Sequence, residues 1–224
     1  MKLIACFKRK PGISVDEFQR HWRTRHAELV VRQRGLRRYV QNHVIESSYR
    51  TREPAYDGIA EAWFDDLDAM RALAPSAEFA AVRADEANFI DAASMGVVLV
   101  DEVVVKDGAV PPGAIKTITC LHKRSDLSVD AFQKTWRESH AALAERLPGQ
   151  RRYVQCHARR GFYASGRAPL YDGIALAWFD DAAALPAVVR SPEYAAMRAD
   201  EPNLLAPGAA PLVVVREVEI GLDG

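Results

Sequence analysis

The chain has 224 residues, 49% of them hydrophobic and 27% charged, values of an ordinary globular protein of one large or two small domains. Thirty Lys and Arg balance thirty Asp and Glu, so net charge favours neither nucleic acid nor an anionic membrane as partner. No run approaches the roughly 18 apolar residues of a membrane-spanning helix, the N-terminal stretch turns charged too early for a signal peptide, and three cysteines make no disulfide framework, so a cytoplasmic protein is expected.

In chain order, LIACF (Leu3–Phe7) is a short apolar run suited to a buried strand. Ser14 with Glu17 three residues on is a capping-box pattern, and opens a helix on which Phe18, Trp22, His26 and Leu29 fall at helical spacing. RRYVQNHVIE reads as a strand with Tyr39, Gln41 and His43 on one face. YDGIAEAWF is again strand-like, with Asp57, Ile59, Glu61 and Trp63 on one face and Gly58, Ala60 and Ala62 on the other. Helix follows from Asp65-Asp66 to about Asn88, interrupted at Pro75-Ser76, and GVVLVDEVVV closes the half as a β-branched strand.

The whole pattern then occurs a second time. Ser14, Phe18, Trp22, His26 and Leu29 map 114 residues on to Ser128, Phe132, Trp136, His140 and Leu143. YDGIAEAWFDD returns as YDGIALAWFDD from Tyr171, one residue further on, and EFAAVRADEAN as EYAAMRADEPN. A repeat of this length is a small domain, not a solenoid unit. The expected domains are 1–106 and 115–224, joined by a Gly/Pro connector at 107–114. Each reads β-α-β-β-α-β, the ferredoxin-like order. With both helices on one sheet face, the other face needs a cover, which a duplicated half supplies. The expected fold is therefore α+β, two such repeats forming an intramolecular pseudo-dimer, an α/β-barrel; further association into a homodimer is left open.

The first strand ending in basic residues, SxxxFxxxWxxxHA, YVQxH, YDGIAxxWFDD and a late ADE before Asn together resemble the EthD family of the dimeric α/β-barrel superfamily. The resemblance covers nearly all of both halves and implies the same barrel. It implies a small-molecule protein, with cofactor-independent isomerases, cyclases, decarboxylases and monooxygenases, and haem proteins, among the wider superfamily.

His26 and His140 are the leading acid/base candidates, because an imidazole titrates near neutrality. The plain alternative is a buried neutral histidine hydrogen-bonded to backbone. Tyr39 and Tyr153 stand beside them as catalytic candidates. Trp22, Trp136, Trp63, Trp178, His43, Asp57, Glu61 and Asp85 are candidate substrate contacts, with Asp57 or Asp85 orienting a histidine. The small residues Gly58, Ala60 and Ala62 let a helix approach the sheet. No compact metal-ligand spacing, GxGxxG or Walker sequence is present, so no metal and no nucleotide cofactor is expected. Equivalent Cys6 and Cys120 read as packing residues. Differences between halves, Arg25 to Ser139, Asn42 to Cys156, Glu61 to Leu176 and Arg71 to Pro186, suggest that one half keeps a functional pocket while the other is scaffold. The expected function is a cofactor-independent enzyme on a small apolar or aromatic metabolite. A non-catalytic small-molecule binding protein and a haem protein using His26 are the alternatives, and whether the chain is an enzyme stays open here.

Overall fold

Strand β1 (Lys2–Phe7) opens the chain with every residue but Leu3 buried. The structure, a computed structural model, describes residues 1–222. Ser14 caps α1 (Val15–His21): its hydroxyl accepts from the Glu17 N–H while the Glu17 carboxylate accepts from the Ser14 N–H, the expected capping box. The helix then departs from the single α-helix the spacing predicts. Trp22–His26 forms a π turn before α2 (Ala27–Val30). The cause lies at one carbonyl: Trp22 O accepts the Ala27 N–H five residues on, and also the Gln41 amide at 2.7 Å. Such widened turns concentrate at functional sites.

There follow β2 (Leu36–Val44), α3 (Glu46–Tyr49), β3 (Gly58–Phe64), α4 (Leu67–Leu73), α5 (Ala77–Phe89) and β4 (Gly96–Asp107). The second half repeats the order as β5 (Ile115–Leu121), α6 (Val129–Thr135), a π turn at Trp136–His140, α7 (Ala141–Ala144), β6 (Gln150–Ala158), α8 (Arg160–Ala164), β7 (Gly173–Phe179), α9 (Leu185–Val189), α10 (Pro192–Asp200) and β8 (Leu212–Ile220). Pro186 sits in the first turn of α9, where the missing N–H costs nothing, so the counterpart of the seven-residue α4 keeps five residues.

The hydrogen-bonded strand order, β1-β3-β2-β8-β5-β7-β6-β4, closes on itself, which is the barrel connectivity expected of the two repeats. Two compact units divide the chain: Met1–Leu99 with the stretch from Glu217, and Val100–Arg216. The division falls inside β4 and β8. The later part of β4, Val100 to Asp107, pairs with β6, and Lys116 to Thr119 of β5 pairs with β8.

In the first unit Ala60 and Ala62 of β3 join Phe7, Phe18, Trp22 and Tyr39 in a buried cluster under the helices. The small residues serve the close approach expected of them. A Cβ on Gly58 would come within 2.7 Å of both the Trp22 and Phe7 rings, and one on Gly173 within 2.4 Å of Trp136. Gly173→Ala should therefore cost about 1–3 kcal/mol through overpacking, read as a lower urea midpoint at unchanged m. An unshifted midpoint would show that the indole can slide.

Candidate functional site

Residues Tyr39, Gln41 and His43 alternate along β2 and meet the π turn. The Trp22 indole N–H donates to Tyr39 Oη at 2.9 Å, and the Trp22 ring lies 4.5 Å from that of His43. The Gln41 amide nitrogen is committed to Trp22 O, so its oxygen accepts from His43 Nε2 at 3.0 Å. That assigns the hydrogen to Nε2, and Nδ1 is buried without a partner. His157 repeats the arrangement, 4.4 Å from Trp136 and bonded to Gln155 Oε1 at 3.1 Å. Burial, with Arg23 nearby, pushes His43 down to about 3; burial, with Arg137 nearby, pushes His157 down to about 4. Burial also pushes the Tyr39 and Tyr153 phenols up to about 12, against hydrogen bonding that works the other way. Neither tyrosine is a phenolate near neutrality.

These histidines carry a pH prediction. Because their folded pKa lies below 6.5, the unfolded chain binds protons first as pH falls, and stability declines from about pH 6.5 downward. At pH 5 each should cost about 2 kcal/mol relative to neutral pH. Urea unfolding at pH 7.5 and 5.0 measures this, and His43→Gln and His157→Gln should flatten the dependence. A wild-type stability that is level across that range would overturn it.

The π turn ends in each half on the candidate acid/base histidine. His26 is buried, with Nδ1 3.0 Å from Asp85; His140 is equally buried, with Nδ1 2.9 Å from Asp200. Burial pushes both carboxyls up, but hydrogen bonds outweigh it and hold them below the usual range: His21, His26 and Asn88 act on Asp85, and Asn203 and His140 on Asp200. An ionised carboxylate only accepts, so in the neutral form of each histidine Nδ1 carries the hydrogen and Nε2 the lone pair. In the first half Asp85 is thus the carboxylate that meets His26. It is crowded: His21 Nε2 lies 3.0 Å from both its oxygens and Arg25 Nε 3.3 Å away. Burial lowers the His26 pKa against the pull of Asp85. Neighbouring Glu86, beside Arg83, is pushed by burial up to about 7. At Asp200 no such crowd exists, because Thr135 and Ser139 replace His21 and Arg25.

Beside His140 lies a cavity of about 180 Å³ between sheet and helices, with Trp136, Tyr153 and Gln150 in its wall. The reason is written in paired differences. Phe7, Val30, Leu36, Leu73 and Phe89 fill the first half's cluster; their counterparts Leu121, Ala144, Gln150, Val188 and Leu204 line the cavity instead. The Phe89 ring, 4.8 Å from His26, has no equivalent at Leu204. Exposed Val189 and Leu212 mark the mouth. Inside, the Trp136 indole N–H does not make the hydrogen bond that the Trp22 indole makes to Tyr39.

Other sequence candidates lie elsewhere. Glu61 belongs to the β3 residues that alternate with Ala60 and Ala62, so it points away from the helix side. It is buried there, with Lys2 Nζ at 2.5 Å and the Asn42 amide at 2.8 Å. Trp63 shares that face, under Lys2 and Arg38, and Trp178 is placed likewise under Lys116. Any acidic pocket formed by Glu61 is thus not the cavity at the π turn. Asp57 orients no histidine. Wholly buried, it accepts from Tyr49 Oη at 2.6 Å and the Arg9 N–H at 2.9 Å, tying a loop to β1. Burial pushes its carboxyl up, but these bonds hold it below its ordinary value. Cys6 and Cys120 are buried and in no disulfide, as packing residues are. Among the described residues no group of three His, Cys, Asp or Glu is placed to hold a metal ion, and no helix is long and apolar enough to cross a membrane. Gln41 and Gln155, on strand faces but with no role legible in the sequence, cap the π turns, and Gln150 lines the cavity. The legible signal for Gln150 was its alignment with Leu36.

Two copies of the π turn, each presenting a Trp and a His to one sheet face, coincide with a family match. The EthD domain model fits residues 10–93 and again 124–208. The chain belongs to the EthD family. No curated protein matches this EthD chain. Solved structures resemble it over nearly its whole length. An anthrone oxidase-like protein matches at TM-score 0.63 and 13% identity, covering 98% of this chain and 92% of its own. A candidate monooxygenase from Fusobacterium nucleatum subsp. nucleatum gives 0.59 at 8% identity, covering 96% and 92%. A candidate chlorite dismutase gives 0.56 at 14% identity, covering 97% and 93%. At these identities the likeness is one of fold, shared with proteins named as small-molecule enzymes.

Proposed function

We propose that this EthD protein is a cofactor-independent enzyme acting on a small apolar or aromatic metabolite, with the second-half cavity as its active site. The observation that carries the reading is a histidine with a free lone pair on the wall of an apolar cavity, held in one tautomer by a carboxylate that has few other duties. A cavity of about 180 Å³ suits a single substituted ring, since one of roughly 150 Å³ holds benzene. Proton abstraction by His140 Nε2 from a carbon or hydroxyl acid is the step this wall supports. Isomerisation, cyclisation and oxygenation of a carbon or hydroxyl acid begin with such a step, decarboxylation instead ends with a proton returned to carbon, and the names of the fold neighbours lean toward oxygenation.

In this proposal the first half is scaffold: Phe89, Val30 and Leu36 occupy the corresponding space, and Asp85 is shared among three cationic or potentially cationic side chains. The test uses a probe that needs no knowledge of the natural substrate. Cyclohexanone is a one-ring carbon acid, and hydrogen–deuterium exchange at its α-carbon in D₂O reads general-base action by NMR. Exchange above the buffer rate supports the enzyme reading. Cyclohexanone that binds without enhanced exchange favours a non-catalytic binding protein.

A further inference from the structure

The second-half cavity holds a polar side chain that no protein group satisfies. Gln150 is 4% exposed, and neither its amide nitrogen nor its amide oxygen has a hydrogen-bond partner. Burying an unpaired amide is costly, and folded proteins keep few of them. The position is also turned toward the cavity by a specific device. Tyr153, which lines the cavity, alternates along β6 with Gln155 and His157, and strict alternation would send Gln150 to the opposite face. A bulge between Gln150 and Arg152 shifts the register there and brings Gln150 to the cavity wall. The first half carries the same bulge between Leu36 and Arg38, and Leu36 simply packs in its cluster. The backbone is therefore common to both halves, and the amide is peculiar to the one with the cavity.

We propose that Gln150 is the recognition group of this cavity, and that its ligand is a small neutral ring with a hydrogen-bond donor and acceptor side by side, as in a lactam. A carboxamide presents one donor edge and one acceptor edge in a plane, and a ligand edge of the complementary pattern satisfies both at once. Neutrality follows from the wall. Its arginine, Arg198, is already paired with Glu201 of the same wall, so the two charges offset and the arginine is not held ready for a ligand anion. This inference rests on the reading of the cavity as the ligand site, and adds to it the chemistry that selects the ligand.

The test compares 2-pyridone, which has the donor–acceptor edge, with benzene, which has none, by ligand-observed saturation-transfer NMR titration of the full chain. Gln150→Leu, which installs the residue the first half uses, should weaken 2-pyridone by at least about tenfold while leaving benzene unchanged or tighter. Gln150→Glu, checked for folding by circular dichroism, should also lose 2-pyridone, since a carboxylate cannot donate. If Gln150→Leu binds 2-pyridone as the wild type does, or if the wild type takes benzene but not 2-pyridone, the role of Gln150 is overturned and the cavity reading stands. If the wild type binds neither probe, the cavity reading falls and this inference with it.

Discussion

His140→Gln is expected to lower cyclohexanone α-exchange by about 10²–10⁴, the usual contribution of a positioned general base. The imidazole of His140 lines the cavity, whereas burial pushes the Tyr153 phenol up to about 12 and so withholds it as a base. Asp200→Asn tests the orienting role separately. An asparagine at 2.9 Å from Nδ1 can turn its NH₂ toward the ring, placing the imidazole hydrogen on Nε2 and removing the base. A loss of at least about 10² at little cost in stability is expected, with cyclohexanone binding retained. His26→Gln, in the filled first half, should leave exchange near wild type. Full exchange by the His140→Gln variant would end the acid/base assignment. Loss in His26→Gln alone would move the site to the first half.

Glu61→Leu carries the second large effect, and it falls on stability. The substitution copies Leu176 of the second half, yet it should cost about 3–5 kcal/mol. The side chains of Lys2 and Glu61 are each 2% exposed and 2.5 Å apart, so removing the carboxylate takes the ion-pair partner from a buried ammonium, while the Asn42 amide keeps its bond to the Ile59 carbonyl. Urea unfolding reads the loss, and Glu61→Gln, which keeps an acceptor for Asn42, should lose less. Ligand binding at the second-half cavity should persist in both variants, because Glu61 lies on the sheet face away from the helices. A Glu61→Leu protein within about 1 kcal/mol of wild type would show that the pair contributes little.

Much of this molecule is legible in its letters. The repeat of YDGIAxAWFDD and of the Trp–His helix announces two copies of one domain. Alternation in YVQNH and AEAWF assigns each residue to a sheet face, because successive side chains of a strand point oppositely whatever surrounds them. The Ser14–Glu17 capping box and the break before Ser76 are local features decided within a few residues. Family membership follows from the same motifs.

Tertiary contacts decided the rest. Helical spacing could not foresee the π turn at Trp22–His26, because Gln41, on the next strand, shares the Trp22 carbonyl that makes it. Nor could a run of letters show that Asp85 reaches two histidines across 59 and 64 residues, or that Asp57 reaches none. The change from Glu61 to Leu176, the most visible difference between the halves, proved to concern a buried ion pair. The quieter changes to Ala144, Gln150 and Leu204 are the ones that open a cavity. Their effect is a sum of small volumes removed at one point in space, and sequence order does not record which residues share that point.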